Sequence, residues 1–239
     1  HIAMGGNLFD PIDLGGGLLE TTNPDGAIFL ARHDSNGDFV WDKLVEPTGY
    51  VTIDRIDADE IGRIFVVGTI YGAGFGNPGS VDFGGGPLDG ENDVFVAGFD
   101  ASGNHLFSQL IGKGFVQDVF ARGGRVVITG YTYDTMDIRG GSLGGAGNAD
   151  AFVGCLTSAG AHVWSAAFGD AADQGGMGVA LDTSGRTVLA MTTSSAVDFG
   201  GGPLTPAGPV GLCLVQFDAT GAHVWSRITT GQFNSGSGI

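Results

Sequence analysis

The octapeptide Val81-Asp82-Phe83-Gly84-Gly85-Gly86-Pro87-Leu88 occurs twice, returning at Val197 to Leu204. Two looser copies read Asp13-Leu14-Gly15-Gly16-Gly17-Leu18 and Asp137-Ile138-Arg139-Gly140-Gly141-Ser142-Leu143. Their aspartates, at positions 13, 82, 137 and 198, are spaced by 69, 55 and 61 residues. Self-similarity at such a period points to an array of like supersecondary units, each of which buries its apolar face against its neighbours. The repeats run from end to end, so the 239 residues are expected to form one domain.

Each repeat resolves into two hairpins. The first is clearest at Val116 to Arg122 and Arg125 to Thr132, joined by Gly123-Gly124. Its equivalents are Val51 to Ala58 with Arg63 to Ile70, and Met177 to Asp182 with Arg186 to Thr193. Short β-branched runs separated by a glycine-containing turn read as hairpins. The second hairpin follows the glycine-rich loop. Its copies are Ala27 to Asp34 with Asp38 to Val45, Asp93 to Asp100 with Asn104 to Ile111, Asp150 to Thr157 with Ala161 to Phe168, and Gly211 to Asp218 with Ala222 to Thr229. Their turns open on Asp34, Asp100, Thr157 and Asp218, whose side chains cap backbone amides while a glycine takes the positive φ. Four strands and no helix per repeat predict an all-β chain. The expected architecture is a β-propeller of about four blades, four antiparallel strands each.

The same residues carry a family resemblance. The run Asp93-Val94-Phe95-Val96, then Phe99-Asp100-Ala101-Ser102-Gly103-Asn104-His105-Leu106-Phe107-Ser108, and the later Val179-Ala180-Leu181-Asp182-Thr183-Ser184-Gly185-Arg186 resemble the SBBP-type β-propeller repeats of bacterial extracellular proteins. The Val-Asp-Phe-Gly-Gly-Gly-Pro-Leu linker looks like the version found in myxobacterial-type proteins. The likeness covers nearly the whole chain and implies secretion or surface display. It carries no family-wide catalytic residues. The chain departs from the pattern at Gly211, where an Asp is usual, and at Lys113 to Val116, where the acidic bend is lost.

Charge narrows the partners. Ten Lys or Arg against 26 Asp or Glu leave a formal charge of −16. Such a surface repels nucleic acid and anionic membranes and tolerates cations. No window of about 18 apolar residues reads as a membrane-inserting helix. Glycine is 46 of 239 residues, without a collagen period, so the glycines mark turns. Cys155 and Cys213, the only cysteines, show neither a CxxC motif nor a paired framework. They lie in the same strand of neighbouring repeats at opposite parity, which leaves their redox state open.

Residues that recur at one repeat position are spread apart by the architecture and read as structural. This covers His105, His162 and His223, and the anchors Trp41, Trp164 and Trp225 with Phe107 as the fourth. The aspartates of the glycine-rich loops, and a second set of Asp25, Asp93 and Asp150 with Asn23, Asn92 and Asn148 just ahead, are the donor types of a Ca2+ site. No copy has the spacing of a dedicated calcium loop, so they read as caps and no cofactor is expected. No G-x-S-x-G elbow accompanies the histidines.

Function on a symmetric scaffold is expected where the symmetry breaks. The candidates are Tyr71, Gln117, Asp118, Tyr131, Tyr133, Asp134, Asp173 and Gln174, placed by the repeat on loops at one face. Tyrosine supplies a flat apolar contact and a hydroxyl, which suits glycans and peptides. The expected role is a non-enzymatic, extracellular or surface scaffold that binds a glycan, peptide or protein through that face. The alternatives are a carboxylate-dependent glycan hydrolase or lyase, or a purely structural module of an adhesin or appendage. In the repeat register, His1 to Gly5 is a second strand and Ser237 to Ile239 begins an innermost strand. The two ends are therefore expected to close one blade, within a chain or by self-assembly between chains.

Overall fold

In a computed structural model the chain is all-β, with no helix among the described residues, which are 2–72, 77–144 and 148–230. It divides at Ile111/Gly112 into two compact units. Each is described by itself.

The first unit opens with β1 (Ile2–Leu8), a short ribbon of β2 (Ile12–Asp13) and β3 (Leu18–Leu19), then β4 (Ala27–His33) and β5 (Phe39–Val45). The second repeat follows as β6 (Tyr50–Ala58), β7 (Ile64–Gly72), the ribbon β8 (Gly79–Val81) and β9 (Leu88–Gly90), β10 (Asp93–Phe99) and β11 (His105–Lys113). The second unit repeats the plan twice. First come β12 (Phe115–Arg122), β13 (Arg125–Thr132), the ribbon β14 (Met136–Asp137) and β15 (Ser142–Leu143), β16 (Asp150–Thr157) and β17 (His162–Phe168). Then come β18 (Gln174–Leu181), β19 (Thr187–Thr193), the ribbon β20 (Val197–Asp198) and β21 (Pro203–Leu204), β22 (Gly211–Phe217) and β23 (His223–Thr230).

The long strands form antiparallel meanders ordered β6-β7-β10-β11, β12-β13-β16-β17 and β18-β19-β22-β23, with β1-β4-β5 as a three-stranded version. Pairing registers align the four copies. Ala27, Asp93, Asp150 and Gly211 open the third strand opposite Leu8, Ile70, Thr132 and Thr193. Thus β1 takes the place of β7, β13 and β19. Residues 235–239, which the repeat register sets beside it, lie outside the described residues.

Two features depart from the reading of the sequence. The glycine-rich segments are not plain loops but two-stranded ribbons. Their cause is alternation: in Val81-Asp82-Phe83 the flanking residues are buried and the aspartate faces out, as at Met136-Asp137-Ile138 and Val197-Asp198-Phe199. Phe83 lies 5.0 Å from Phe95 and 6.1 Å from Phe99, centroid to centroid, and pins its ribbon to the core of the first unit. Secondly, the first strand of each four-stranded meander carries a β-bulge, at Asp54, Gln117 and Met177. A bulge leaves an amide out of the ladder. Around Gln117 the Asp118 carboxylate takes up the slack, accepting from Val119 N at 3.0 Å and from Val179 N of the next sheet at 2.9 Å.

Within each unit the sheets stack face to face. β6 packs on β1 and β4, and β18 packs on β12, β13 and β16. Aromatic anchors close the outer edges. Trp164 (6% exposed) and Phe107 (9%) are buried, while Trp41 and Trp225 are half-buried, so the four share a register but not a depth. The turn glycine of the next repeat covers the ring in two cases. A Cβ on Gly103 would come within 2.9 Å of Trp41, and one on Gly221 within 2.7 Å of Trp164. Cys155 and Cys213 are free and belong to the core of the second unit. Burial raises both thiol pKa values, that of Cys213 to about 11, so neither is a ready nucleophile.

Candidate functional site

One carboxylate device accounts for most of the repeated aspartates. In the ribbons Asp13, Asp82 and Asp198 each accept, through one oxygen, the amides of the residues two and four ahead. Asp137 takes Gly141 N in the same manner. The hairpin turns at Asp34, Asp59, Asp100, Asp182 and Asp218 use the same pattern, and Thr157 does so with its hydroxyl. These amide bonds favour the charged carboxylate. They lower the pKa of Asp34, where Asp38 N contributes most, and of Asp82, where Gly84 N does.

The histidines belong to the same structural system. Nε2 of His105, His162 and His223 lies 3.0 Å from the hydroxyl of Ser108, Ser165 and Ser226 respectively. Each ring is covered by the middle glycine of a ribbon. A Cβ on Gly85, Gly140 or Gly201 would come within 2.2 to 2.3 Å of it, and Phe39 meets Gly16 likewise. Burial lowers the pKa of His105 below the usual value, partly offset by the Asp82 carboxylate. Among the described residues no three His, Cys, Asp or Glu side chains converge as metal ligands.

The surface changes character where the second strand of the third repeat ends. Phe115, at the start of β12, pairs across the ladder with Tyr131 of β13. Their centroids are 5.3 Å apart. Tyr133 stands on both, nearly at right angles: 6.2 Å and 84° from Phe115, 5.5 Å and 81° from Tyr131. Tyr133 is 60% exposed and Phe115 37% exposed. The three rings, two of them exposed and Tyr131 half-buried, form one aromatic patch at the end of this hairpin.

Beside them lies a cleft of about 240 Å³ lined by Tyr131, Tyr133, Ala149, Asp173, Gln174, Gly175 and Thr192. Gly175 lies on its lining, where a Cβ would make ordinary contact, 3.5 Å from Thr192 Oγ1 and 4.0 Å from the Tyr131 ring. The floor is rigid. Gln174, 2% exposed, donates through Nε2 to Asp170 Oδ1 and to Ser195 Oγ, both at 2.9 Å, and its Oε1 accepts from Asp170 N. Ala172 N and then Gln174 hold the Asp170 carboxyl below its ordinary pKa. Ladder-like bonds from Gln174 N to Ala149 O and from Ser194 N to Asp173 O fix the wall. Among the described residues the exposed Asp173 side chain makes only a long contact there, accepting from Ala149 N at 3.4 Å.

Of the eight residues singled out in the sequence, Tyr131, Tyr133, Asp173 and Gln174 line this cleft. Gln174 contributes its backbone frame and not a ligand-facing amide. Gln117 and Asp118 lie in strand β12 rather than in a rim loop, and Asp118 is committed to the bulge. Asp134 caps its own turn through Thr135 N. Tyr71 belongs to the first unit, where it stacks on Tyr50 at 5.5 Å. Phe115, Ala149, Gly175 and Thr192 were missed. Only Phe115 left a signal, an aromatic at the point where the chain loses the acidic bend of the other repeats. No protein-family model matches the chain, and no curated protein matches it either.

Proposed function

We propose that this chain is a non-enzymatic binding scaffold that takes a peptide or protein ligand at the cleft between Tyr131, Tyr133 and Asp173. The observation that carries the reading is the ring trio of Phe115, Tyr131 and Tyr133, two of them exposed, beside an open cleft with a hydrogen-bonded floor. Rigid aromatics give large contact area at little entropy cost and dominate recognition surfaces. The cleft is smaller than the roughly 300–1,000 Å³ of drug-sized pockets, so it suits one inserted group, as from a peptide side chain. Gln174, whose amide is committed within the protein, adds no side-chain contact for a guest. The carboxylates of the ribbons and turns, and the histidines, are engaged in holding those segments, which favours binding over hydrolysis.

The finer architecture belongs to the same proposal. Three four-stranded meanders and a three-stranded version of the same plan suit the blades of a β-propeller, with the SBBP-type repeat as its relative and an extracellular or surface location. The edge of β1 away from β4 has no strand partner among the described residues, which would permit self-association. The test of function is selection of binders from a random peptide pool by the whole chain, repeated with the Tyr131→Ala/Tyr133→Ala double variant. Enrichment that vanishes with the double variant is expected. Enrichment indifferent to it would remove the cleft from the function.

A further inference from the structure

The charge of the site points to its ligand. We infer that the cleft selects an alkylammonium group, the side chain of lysine or of methylated lysine, carried on a peptide. This rests on the binding role proposed above and names its chemistry.

Three observations converge on a cation. The first is ring geometry. Tyr131 and Tyr133, the two rings that line the cleft, meet at 81°. Aromatic planes at right angles form a corner, and the negative π faces of such a corner attract a cation. The second is Asp173. It stands exposed on the lining of the same cleft, with only the long 3.4 Å contact from Ala149 N among the described residues, so its charge can act on a guest. No lysine or arginine is among the lining residues to neutralise it. The third is the field of the whole chain. A formal charge of −16 raises the local concentration of cations and speeds their encounter. An anionic or carboxylate-bearing group would meet opposition from all three.

Size supports a side chain over a larger cation. About 240 Å³ holds a methylated ammonium head and part of its stem. Glycine at 175 leaves room for that stem beside the Tyr131 ring and Thr192. Lysine stems pack along apolar surface while the head stays polar. Methylation weakens the hydration of the head and leaves its charge, so trimethyl-lysine is the form expected to bind best.

The experiment compares short alanine peptides that carry one trimethyl-lysine, one lysine, or the neutral tert-butyl isostere of trimethyl-lysine, titrated into the whole chain by calorimetry. Choline chloride serves as the free small cation. The trimethyl-lysine peptide should bind about tenfold more tightly than its neutral isostere, and more tightly than choline. Tyr133→Ala should abolish that difference and Tyr133→Phe should restore it. Asp173→Asn should weaken the cationic peptides by roughly two- to fivefold and leave the isostere unchanged. Circular dichroism of each variant checks that it is folded. If the isostere binds within twofold of the cation and Tyr133→Ala weakens both, the ammonium assignment is wrong and the binding role stands. If choline binds as tightly as the peptide, the peptide source is wrong. If no peptide binds better to the native chain than to the Tyr131→Ala/Tyr133→Ala double variant, the inference and the binding role fall together.

Discussion

The hairpins β6–β7 and β12–β13 have one backbone and two surfaces. Both carry a bulge, at Asp54 and Gln117, and both place a glycine across from it, Gly68 and Gly130. Neither glycine has space for a side chain: a Cβ would lie 1.9 Å from the carbonyl oxygen of Thr52 or of Phe115. The side chains next to the bulge then diverge. In β6–β7 the Asp54 carboxylate accepts from Thr52 Oγ1 at 2.8 Å and Thr69 Oγ1 at 2.9 Å, closing a polar knot. In β12–β13 the registers of Thr52 and Thr69 hold Phe115 and Tyr131, which turn the same ladder into an aromatic wall. The lesson is that repeat rules fix the backbone, whereas a few substitutions on it decide whether a surface is closed or can receive a guest.

That comparison can be strained at several depths. The largest expected effect lies in the shared frame. Trp164→Ala should cost roughly 3–5 kcal/mol in urea unfolding, and Phe107→Ala a similar amount, because both rings are buried. Trp41→Ala and Trp225→Ala should cost less, since those rings are half-buried. Equal losses at all four sites would show that depth is irrelevant and the comparison is too fine.

Next come the glycines opposite the bulges. Gly68→Ala and Gly130→Ala should each destabilise by about 3 kcal/mol, the upper part of the overpacking range, because the obstacle is backbone. Gly201→Ala meets the end of the His223 side chain instead, which can swing away at the expense of its contact with Ser226. About 1–2 kcal/mol is expected there. A Gly130 variant as stable as the native chain would mean that the bulge is not a fixed part of the hairpin.

The surfaces should separate most cleanly. Tyr133→Ala should change stability by under about 0.5 kcal/mol, as exposed positions do, while removing peptide binding. Asp54→Ala should do the reverse, lowering the thermal midpoint and leaving binding intact, because it unties two threonine hydroxyls far in sequence from the cleft.

The smallest differences concern pH. The folded pKa values of Asp34, Asp82, Asp100, Asp170, Asp182 and Asp218 lie below the ordinary 3.8. The stability they contribute is present above that value and is lost as pH falls through it toward their folded values. His105, also lowered, should titrate below 6.5 by NMR and weaken the fold in the same direction as pH drops. The thermal midpoint should therefore decline modestly below about pH 4, where the carboxylates protonate. A midpoint that holds to pH 2.5 would contradict the role given to the aspartate caps.

The sequence by itself determined the repeat, its four copies, the hairpins and the residues that cap their turns. Those features are local: a carboxylate two and four residues from the amides it holds, a glycine where φ is positive, alternation where one face is buried. Half of the candidate cleft was also legible, because Tyr131, Tyr133, Asp173 and Gln174 break a pattern that the other repeats keep. The rest required the tertiary structure. No pattern within ten residues tells that Asp118 spans a bulge to Val179, or that the ribbon glycine must be bare because a histidine from the fourth strand lies under it. Whether Phe115 meets Tyr133 depends on the register across β12 and β13, and whether Gly175 lies beside them depends on the stacking of one sheet upon the next. Contacts of that kind join positions some 20 to 60 residues apart, and a chain acquires them only when packing brings the sheets together.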